Sequence, residues 1–347
     1  MMTLKQHGYG LLVAALGILL HLGACSKKSQ SPAANTTAPL TPAAVPAATV
    51  PPTEQAAKPV AGVQAEMRNV LFHLTPAAAA HLEILSGELW PTGKNDVVVF
   101  DDKSSFEMRV SNGTVSISPA ALSDIMNNYV FARQDAPLKG LTVAIENERL
   151  IIKGKLHARG DIPFATAGNL SVTADGRIRV HTEKISAMKL PLKGMMGLFG
   201  IELAQMVNTS KIPGMETDKN DLLMDLGTLL PPPHIRGKLT GVRLAGNAIR
   251  TTFGDGGKSL GAPKENGSYM AFLGSTVRFG AMVMDPVDLT VLDLDEAATL
   301  EWNQDHYKEQ LVAGYSKITP NFGLRAYVKD YSKLGKTAGT GRKPIGE

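Results

Sequence analysis

Between residues 104 and 253 the chain repeats one device: runs of alternating apolar and polar residues, separated by a two-residue turn signal. In "SSFEMRVSNGTVSIS" (104–118) the signal is Asn112-Gly113. In "NLSVTADGRIRVHTEKI" Asp175-Gly176 divides Leu170 and Val172 from Ile178 and Val180. In "IRGKLTGVRLAGNAIRTTF" Gly246-Asn247 divides Leu239, Val242 and Leu244 from Ile249 and Phe253. Such dipeptides accept the left-handed backbone that tight hairpin turns require. Alternation with period two turns one face of each strand to a core and the other to water. "PLKGLTVAIENERLIIKGKL" contributes two more runs of this kind, and "DVVVFDD" (96–102) reads as a further strand. The expected class is α+β and β-rich, built on long antiparallel strands.

Two helices interrupt the strands. Ser118 is suited to an N-cap and Pro119 to a first turn in "SPAALSDIMNNYVFARQ". Leu122, Ile125, Met126, Tyr129 and Val130 then fall at i, i+3, i+4, i+7 and i+8, a single apolar stripe. The second helix is expected near Pro191, in "PLKGMMGLFGIELAQMVNTS". There Leu192, Met195, Met196, Leu198, Phe199, Ile201, Leu203, Met206 and Val207 nearly surround the axis, so protein or lipid must cover most sides. Gly194, Gly197 and Gly200 each weaken it by roughly 1 kcal/mol relative to alanine. Six methionines lie between Met188 and Met224, and methionine adapts to irregular apolar shapes. Core packing and lipid contact both fit this cluster.

The N-terminus carries the only cysteine, Cys25, at the end of "LLVAALGILLHLGACSKK". A single cysteine makes no internal disulfide and no cysteine cluster for zinc. The apolar run 11–22 is shorter than the roughly 20 residues of a transmembrane helix and matches a signal-peptide core. "LGAC" resembles the lipobox of bacterial lipoproteins. That resemblance implies removal of residues 1–24, acylation of Cys25, and attachment to the cell envelope by several acyl chains, since one alone holds only marginally. Ser26, standing where Asp would retain such a protein, points to the outer membrane and a periplasm-facing body. An uncleaved anchor or an ordinary secretory signal is the plainer alternative.

Removal of the leader leaves 347 − 24 = 323 residues, room for one large domain or two modest ones. Residues 25–64 are rich in Pro, Ala and Thr with no hydrophobic period, which predicts a disordered tether reaching about 35 Å as a coil and about 100 Å if extended. A net charge of +4 from dispersed residues and 5% aromatics give no footprint for nucleic acid.

The succession of "SPAALSDIMNNYVF", "PLKGLTVAIENERLIIKGKL", "LSVTADGRIRVHTEKI", "LPLKGMMGLFGIEL" and "DLLMDLGTLLPPPHIRGKLTGVRL" resembles the LmeA-like bacterial phospholipid-binding lipoproteins and, more distantly, the tubular lipid-binding superfamily. The resemblance spans about residues 66–255. It implies a long curved antiparallel sheet wrapped around one or two helices, with an apolar groove for acyl chains. It carries over no site residue one by one. The expected organisation is a lipid-binding-like domain at 65–255, a linker at 256–268, an additional C-terminal β module at 269–335 and a disordered tail at 336–347. Strands are expected around Tyr269–Leu273, Val277–Val283 and Val287–Val291, in "EQLVAGYSKIT" and in "FGLRAYVKDY". About 65 residues without disulfides fold alone only marginally, so the module should pack on the preceding domain or on a partner.

Catalytic signatures are missing. "GDGGKS" (254–259) has Thr252 where a phosphate-binding loop needs glycine. The eight histidines have no paired ligand spacing, and there is no G-x-S-x-G elbow. Asp293 and Asp295 would share one strand face in "DPVDLTVLDLDE". Calcium binds such oxygen pairs, yet the glycine turn and spacing of an EF-hand loop are absent, and no metal or cofactor is expected. A triad of distant residues is recognised only by geometry, which leaves an envelope hydrolase as a third reading. The first reading is a membrane-anchored lipoprotein binding or transferring a phospholipid or similar amphiphile. Its groove would be lined by Leu122, Ile125, Met126 and Tyr129, and by Met195, Met196, Leu198, Phe199 and Met206. The second is a non-enzymatic envelope scaffold docking a protein partner through its C-terminal strands.

Overall fold

The structure, a computed structural model, describes residues 62–93, 96–157, 161–183, 186–187, 202–254 and 267–335. The leader, Cys25, the tether up to residue 61, Met195, Met196, Leu198, Phe199, most of the linker and the C-terminal tail lie outside the described residues. The chain is a β-rich α+β protein. Its first strands are β1 (Val63–His73), β2 (Ala79–Pro91), β3 (Val98–Val99), β4 (Phe106–Ile117), β5 (Leu138–Glu146), β6 (Arg149–Leu156) and β7 (Ile162–Val172). There follow β8 (Ile178–Thr182), β9 (Ser186–Ala187), β10 (Met215–Asp218), β11 (Asp221–Met224), β12 (His234–Gly237), β13 (Leu239–Ala245) and β14 (Ala248–Phe253). The last are β15 (Tyr269–Gly274), β16 (Val277–Phe279), β17 (Met282–Met284), β18 (Val287–Asp293), β19 (Leu300–Asn303), β20 (Tyr315–Ile318) and β21 (Leu324–Val328). The helices are α1 (Pro119–Ile125), α2 (Leu203–Met206), α3 (Leu226–Leu229) and α4 (Tyr307–Val312).

An eleven-stranded sheet runs in the order β13-β14-β4-β2-β1-β15-β18-β21-β20, with β12 on β4 and β19 on β1. A seven-stranded sheet, β10-β11-β8-β7-β6-β5 with β9 on β7, lies across from it, and the two meet along β7 and β13. A small third sheet, β17-β16-β3, closes one end. Most pairings are antiparallel, but β1–β19, β18–β21, β4–β12 and β3–β16 are parallel. Of the C-terminal strands, β15, β18, β19, β20 and β21 are built into the large sheet, and β15 pairs with β1 from Val63↔Gly274 to Arg68↔Tyr269.

The turns at Asp175-Gly176 and Gly246-Asn247 sit where the dipeptides place them, between β7 and β8 and between β13 and β14. The β5–β6 hairpin turns on Asn147 and Glu148, both with positive φ (51° and 59°). Asn112-Gly113 does not form a turn. It lies inside β4, which runs unbroken past β2 and β14. The pattern misleads there because of a bulge. Ser111 is an extra residue between the pairs Gly87↔Val110 and Ser86↔Asn112, so the inward positions pass from Phe106, Met108 and Val110 to Gly113, Val115 and Ile117. An inserted residue shifts the alternation by one, and in sequence this looks like a chain reversal. Gly113 serves close approach: a Cβ there would stand 3.1 Å from the carbonyl oxygen of Ile84. Two further expectations are corrected. "DVVVFDD" makes only the two-residue β3 before turning, and residues 307–312 form α4, so "EQLVAGYSKIT" is strand only from Tyr315.

Strands β1 and β2 carry the most pairing yet have weak strand patterns in sequence. At Asn69 (φ 51°) β1 exchanges neighbours: Arg68 and earlier residues pair with β15, and Val70 onward with β19. Asparagine tolerates this left-handed backbone better than other side-chain-bearing residues. Its amide donates to Ser268 Oγ (2.8 Å), and its oxygen is hydrogen-bonded to His81 Nε2 (2.9 Å) and Thr299 Oγ1 (3.2 Å). Replacing Asn69 with valine adds left-handed strain to lost hydrogen bonds, and should cost about 3 kcal/mol in urea unfolding. Asn69→Gly, which keeps the backbone and loses only the bonds, should cost about 1 kcal/mol.

Candidate functional site

Between the two large sheets lies a cavity of about 190 Å³. The large sheet lines it with Met67, Leu82, Leu85, Met108, Ile249 and Phe272, and the smaller one with Leu150, Leu170, Ile178, Val180 and Met224. Bulges keep these faces apolar over long strands. Glu83 is the extra residue of β2, lying between Leu82↔Val115 and Ile84↔Thr114, which brings both Leu82 and Leu85 inward. Glu83 itself turns away, accepting from Ser116 Oγ (2.9 Å) and pairing with Arg250.

Helix α1 closes one side. Ser118 caps it, its Oγ accepting from the Ala121 amide (3.1 Å), and the chain continues as a π-helical turn over Met126–Val130. The polar side of this helix covers the edge of β5. Ser123 Oγ accepts from the Val143 amide (2.8 Å), while Asn127 accepts from the Leu141 amide and donates to the Leu141 carbonyl, both at 2.7 Å. With the edge donors satisfied in this way, Leu122, Ile125 and Met126 face the cavity. Phe72, Leu74, Leu122, Leu230 and Pro233 form a half-buried end. The opposite end is sealed by Phe100, whose ring centroid lies 4.1 Å from Phe279, 5.3 Å from Phe272 and 5.8 Å from Phe106.

Among the described residues, Thr251 and Gln304 are the only hydrogen-bonding side chains on the lining besides the Trp302 indole. Both donate to backbone, Thr251 Oγ1 to the Val115 carbonyl (3.1 Å) and Gln304 Nε2 to that of Phe100 (3.2 Å). Among the described residues, the cavity therefore offers hydrocarbon contact and no carboxyl, imidazole, amine or thiol group.

Of the nine residues expected to line a groove, Leu122, Ile125 and Met126 do so here, and four lie outside the described residues. Tyr129 and Met206 line a separate cleft of about 550 Å³ with Arg133, Asp135, His157 and Lys211. Leu229 borders both spaces. In the cleft, hydrogen bonds from Arg133 (3.0 Å) and Lys211 (3.0 Å) hold the Asp135 carboxyl down at about 2. The strands of the two large sheets supply most of the cavity wall, with the largest shares from β2 and β4. The heptad-like stripe on α1 marked the helix contribution. The strand contribution was hidden where bulges reset the alternation.

Among the described residues no group of three or more His, Cys, Asp or Glu side chains is placed to hold a metal ion, and no helix is long and apolar enough to cross a membrane. Asp293 ends β18, and its Oδ1 accepts from the Asp295 amide (2.8 Å), so the two form a local turn. Its Oδ2 is buried without a partner. Compared as a whole with protein families, curated proteins and solved structures, the chain matches none.

Burial, with the nearby Asp330 carboxylate adding to it, pushes the Asp293 carboxyl from its usual 3.8 up to about 6. Between those values the folded chain keeps a proton that the unfolded chain has released, so stability falls as pH rises through the window. Asp293→Asn should raise the melting temperature near neutral pH by a few degrees, on the order of 2 kcal/mol. It should also remove the extra stability the parent gains on acidification from about pH 7 to about pH 5, which thermal unfolding across that range would read.

Proposed function

We propose that this protein is an envelope lipoprotein that holds the acyl part of a phospholipid or similar amphiphile between its two sheets. The observation that carries this reading is the cavity: about 190 Å³ lined by hydrocarbon, with Thr251 and Gln304 already donating to backbone. A cavity of roughly 150 Å³ lined by leucine, isoleucine and phenylalanine stays dry and admits benzene. An apolar space of this size costs about 5 kcal/mol when nothing fills it, and hydrocarbon recovers that cost. Each methylene buried contributes about 0.8 kcal/mol before ordering costs.

The half-buried end at Leu74, Leu122, Leu230 and Pro233 is the natural entry for a chain, and the Phe100 cluster sets its far limit. The neighbouring charged cleft, with Arg133, Lys211 and Asp135, leaves polar atoms close to that apolar space. The "LGAC" motif and the tether support attachment through Cys25, which would keep such a carrier beside its cargo.

Mass spectrometry of organic extracts from residues 57–347, one compact unit, purified without detergent should show a defined amphiphile near one per chain. Ala80→Phe and Leu122→Trp fill the cavity from β2 and from α1, so each should expel it while leaving the melting temperature equal or higher. A parent chain free of lipid, with unchanged melting in both variants, would sink this reading.

A further inference from the structure

Exposed large hydrophobic side chains concentrate at one place. Val312 is 86% exposed, Ile318 75% and Phe322 89%, with Tyr315 beside them, all within the α4–β20–β21 segment. Scattered exposed apolar residues need no explanation, whereas a cluster does. Phe322 sits in the β20–β21 turn with φ 63°. Asn321 and Gly323, the residue types suited to that backbone, flank it, and yet the phenylalanine takes the strained position. The turn is held by hydrogen bonds from the Thr319 amide to the Gly323 carbonyl (2.7 Å), from the Phe322 amide to the Thr319 carbonyl (2.9 Å) and from the Gly323 amide to Thr319 Oγ1 (2.9 Å). The ring is thus presented outward by an ordered turn.

The strand behind it is also uncovered. Among the described residues, the β13 edge of the large sheet lies against β7, and in the smaller sheet α1 covers the edge at β5 and α2 packs at β10. Strand β20 is the opposite edge of the large sheet, and all four of its residues are exposed. Between Gln310 and Lys329 the sequence holds Lys317, Arg325 and Lys329 and no acidic residue. Arg325 is paired with Asp288 of β18 (3.2 Å), while Lys317 lies over the Tyr315 and Tyr327 rings, with its ammonium 5.4 and 5.2 Å from their centroids.

We propose that this hairpin tip is a membrane-docking element, which inserts Phe322 and Ile318 among the acyl chains of an anionic bilayer surface while Lys317 meets the headgroups. A convex tip with an aromatic at its apex suits a fluid apolar layer. Two exposed faces and a four-residue edge give little for a folded partner to grip. Aromatic and aliphatic side chains seated at the headgroup boundary, with lysine reaching to phosphate, form the usual interfacial arrangement. The inference is independent of what the cavity holds. It supplies a second attachment point, which a chain held by acyl groups alone uses to fix its orientation.

The test places a reporter at the tip. Full-length Phe322→Trp is mixed with phosphatidylglycerol or phosphatidylcholine vesicles carrying brominated acyl chains, with the parent chain as the blank for Trp90 and Trp302. Docking predicts that the emission added at position 322 shifts to the blue and is quenched, more strongly on phosphatidylglycerol and less at high salt, and that adding Ile318→Asp abolishes both changes. Water-like, unquenched emission from vesicle-bound protein would overturn the proposal and leave the edge for a strand from another protein. Failure to bind vesicles at all would overturn it as well.

Discussion

The left-handed turn of the backbone at Asn69 is the constraint on which the described body depends. Strand β1 pairs with three others, β2, β15 and β19, and Asn69 is where the second of these gives way to the third. Met67 and Phe72 both reach the cavity although they stand five positions apart, an odd offset that a regular strand of period two forbids. The kink reverses the facing of β1, and its amide ties the kink to Ser268, about two hundred residues along the chain. Residues far apart in sequence are thereby brought into one sheet. Glu66 and Tyr269, both buried, reinforce the junction through a hydrogen bond of 2.6 Å.

From that junction follows the shape of the interior. The bulges at Glu83 and Ser111 lie on β2, beside β1, and on β4, beside β2, and each resets the alternation as Asn69 does. Bulges bend and twist the strand that carries them. A sheet bent at three adjacent strands does not lie flat on its smaller partner. The two sheets meet along β7 and β13 and remain apart over β1, β2 and β4, where the cavity lies. The open interior is thus a consequence of backbone registers, and the apolar side chains line it without filling it.

Much of this was legible in the sequence, and the gaps have physical causes. Hairpins with intact alternation on both sides of the turn, at Asp175-Gly176 and Gly246-Asn247, declare themselves because nothing disturbs the period. The capped start of α1 was equally plain, with Ser118, Pro119 and a regular apolar stripe. Asn112-Gly113 misled because a bulge and a turn leave the same trace in one dimension. Strand β2 was hidden by "PAAAA", a run favouring helix by propensity, which tertiary pairing on both sides overrides. Residues 307–312 were hidden for the opposite reason. A six-residue helix is too short to show a period, and α4 owes its place to Gln310, whose amide bridges the carbonyls of Glu301 (2.7 Å) and Lys329 (2.9 Å). The helix stripe pointed at Leu122, Ile125 and Met126, but the strand residues that make most of the cavity could be found only once the registers were known.

Three features of the body lower its stability, and they occupy different places. The cavity forgoes packing between the sheets, Asp293 leaves a buried oxygen without a partner, and Phe322 holds an aromatic ring in water on a left-handed backbone. Each could be removed without altering the topology. A larger side chain at Ala80, an amide at position 293 and glycine at position 322 are all compatible with the same registers. Destabilising features that a fold does not require are best explained by demands made on it from outside. Two of the three expose or enclose hydrocarbon, one at an interior wall and the other at an outer tip. A body shaped only for its own stability would have buried the second and packed the first. A body that must take up an apolar molecule and rest against an apolar surface has reason to keep both.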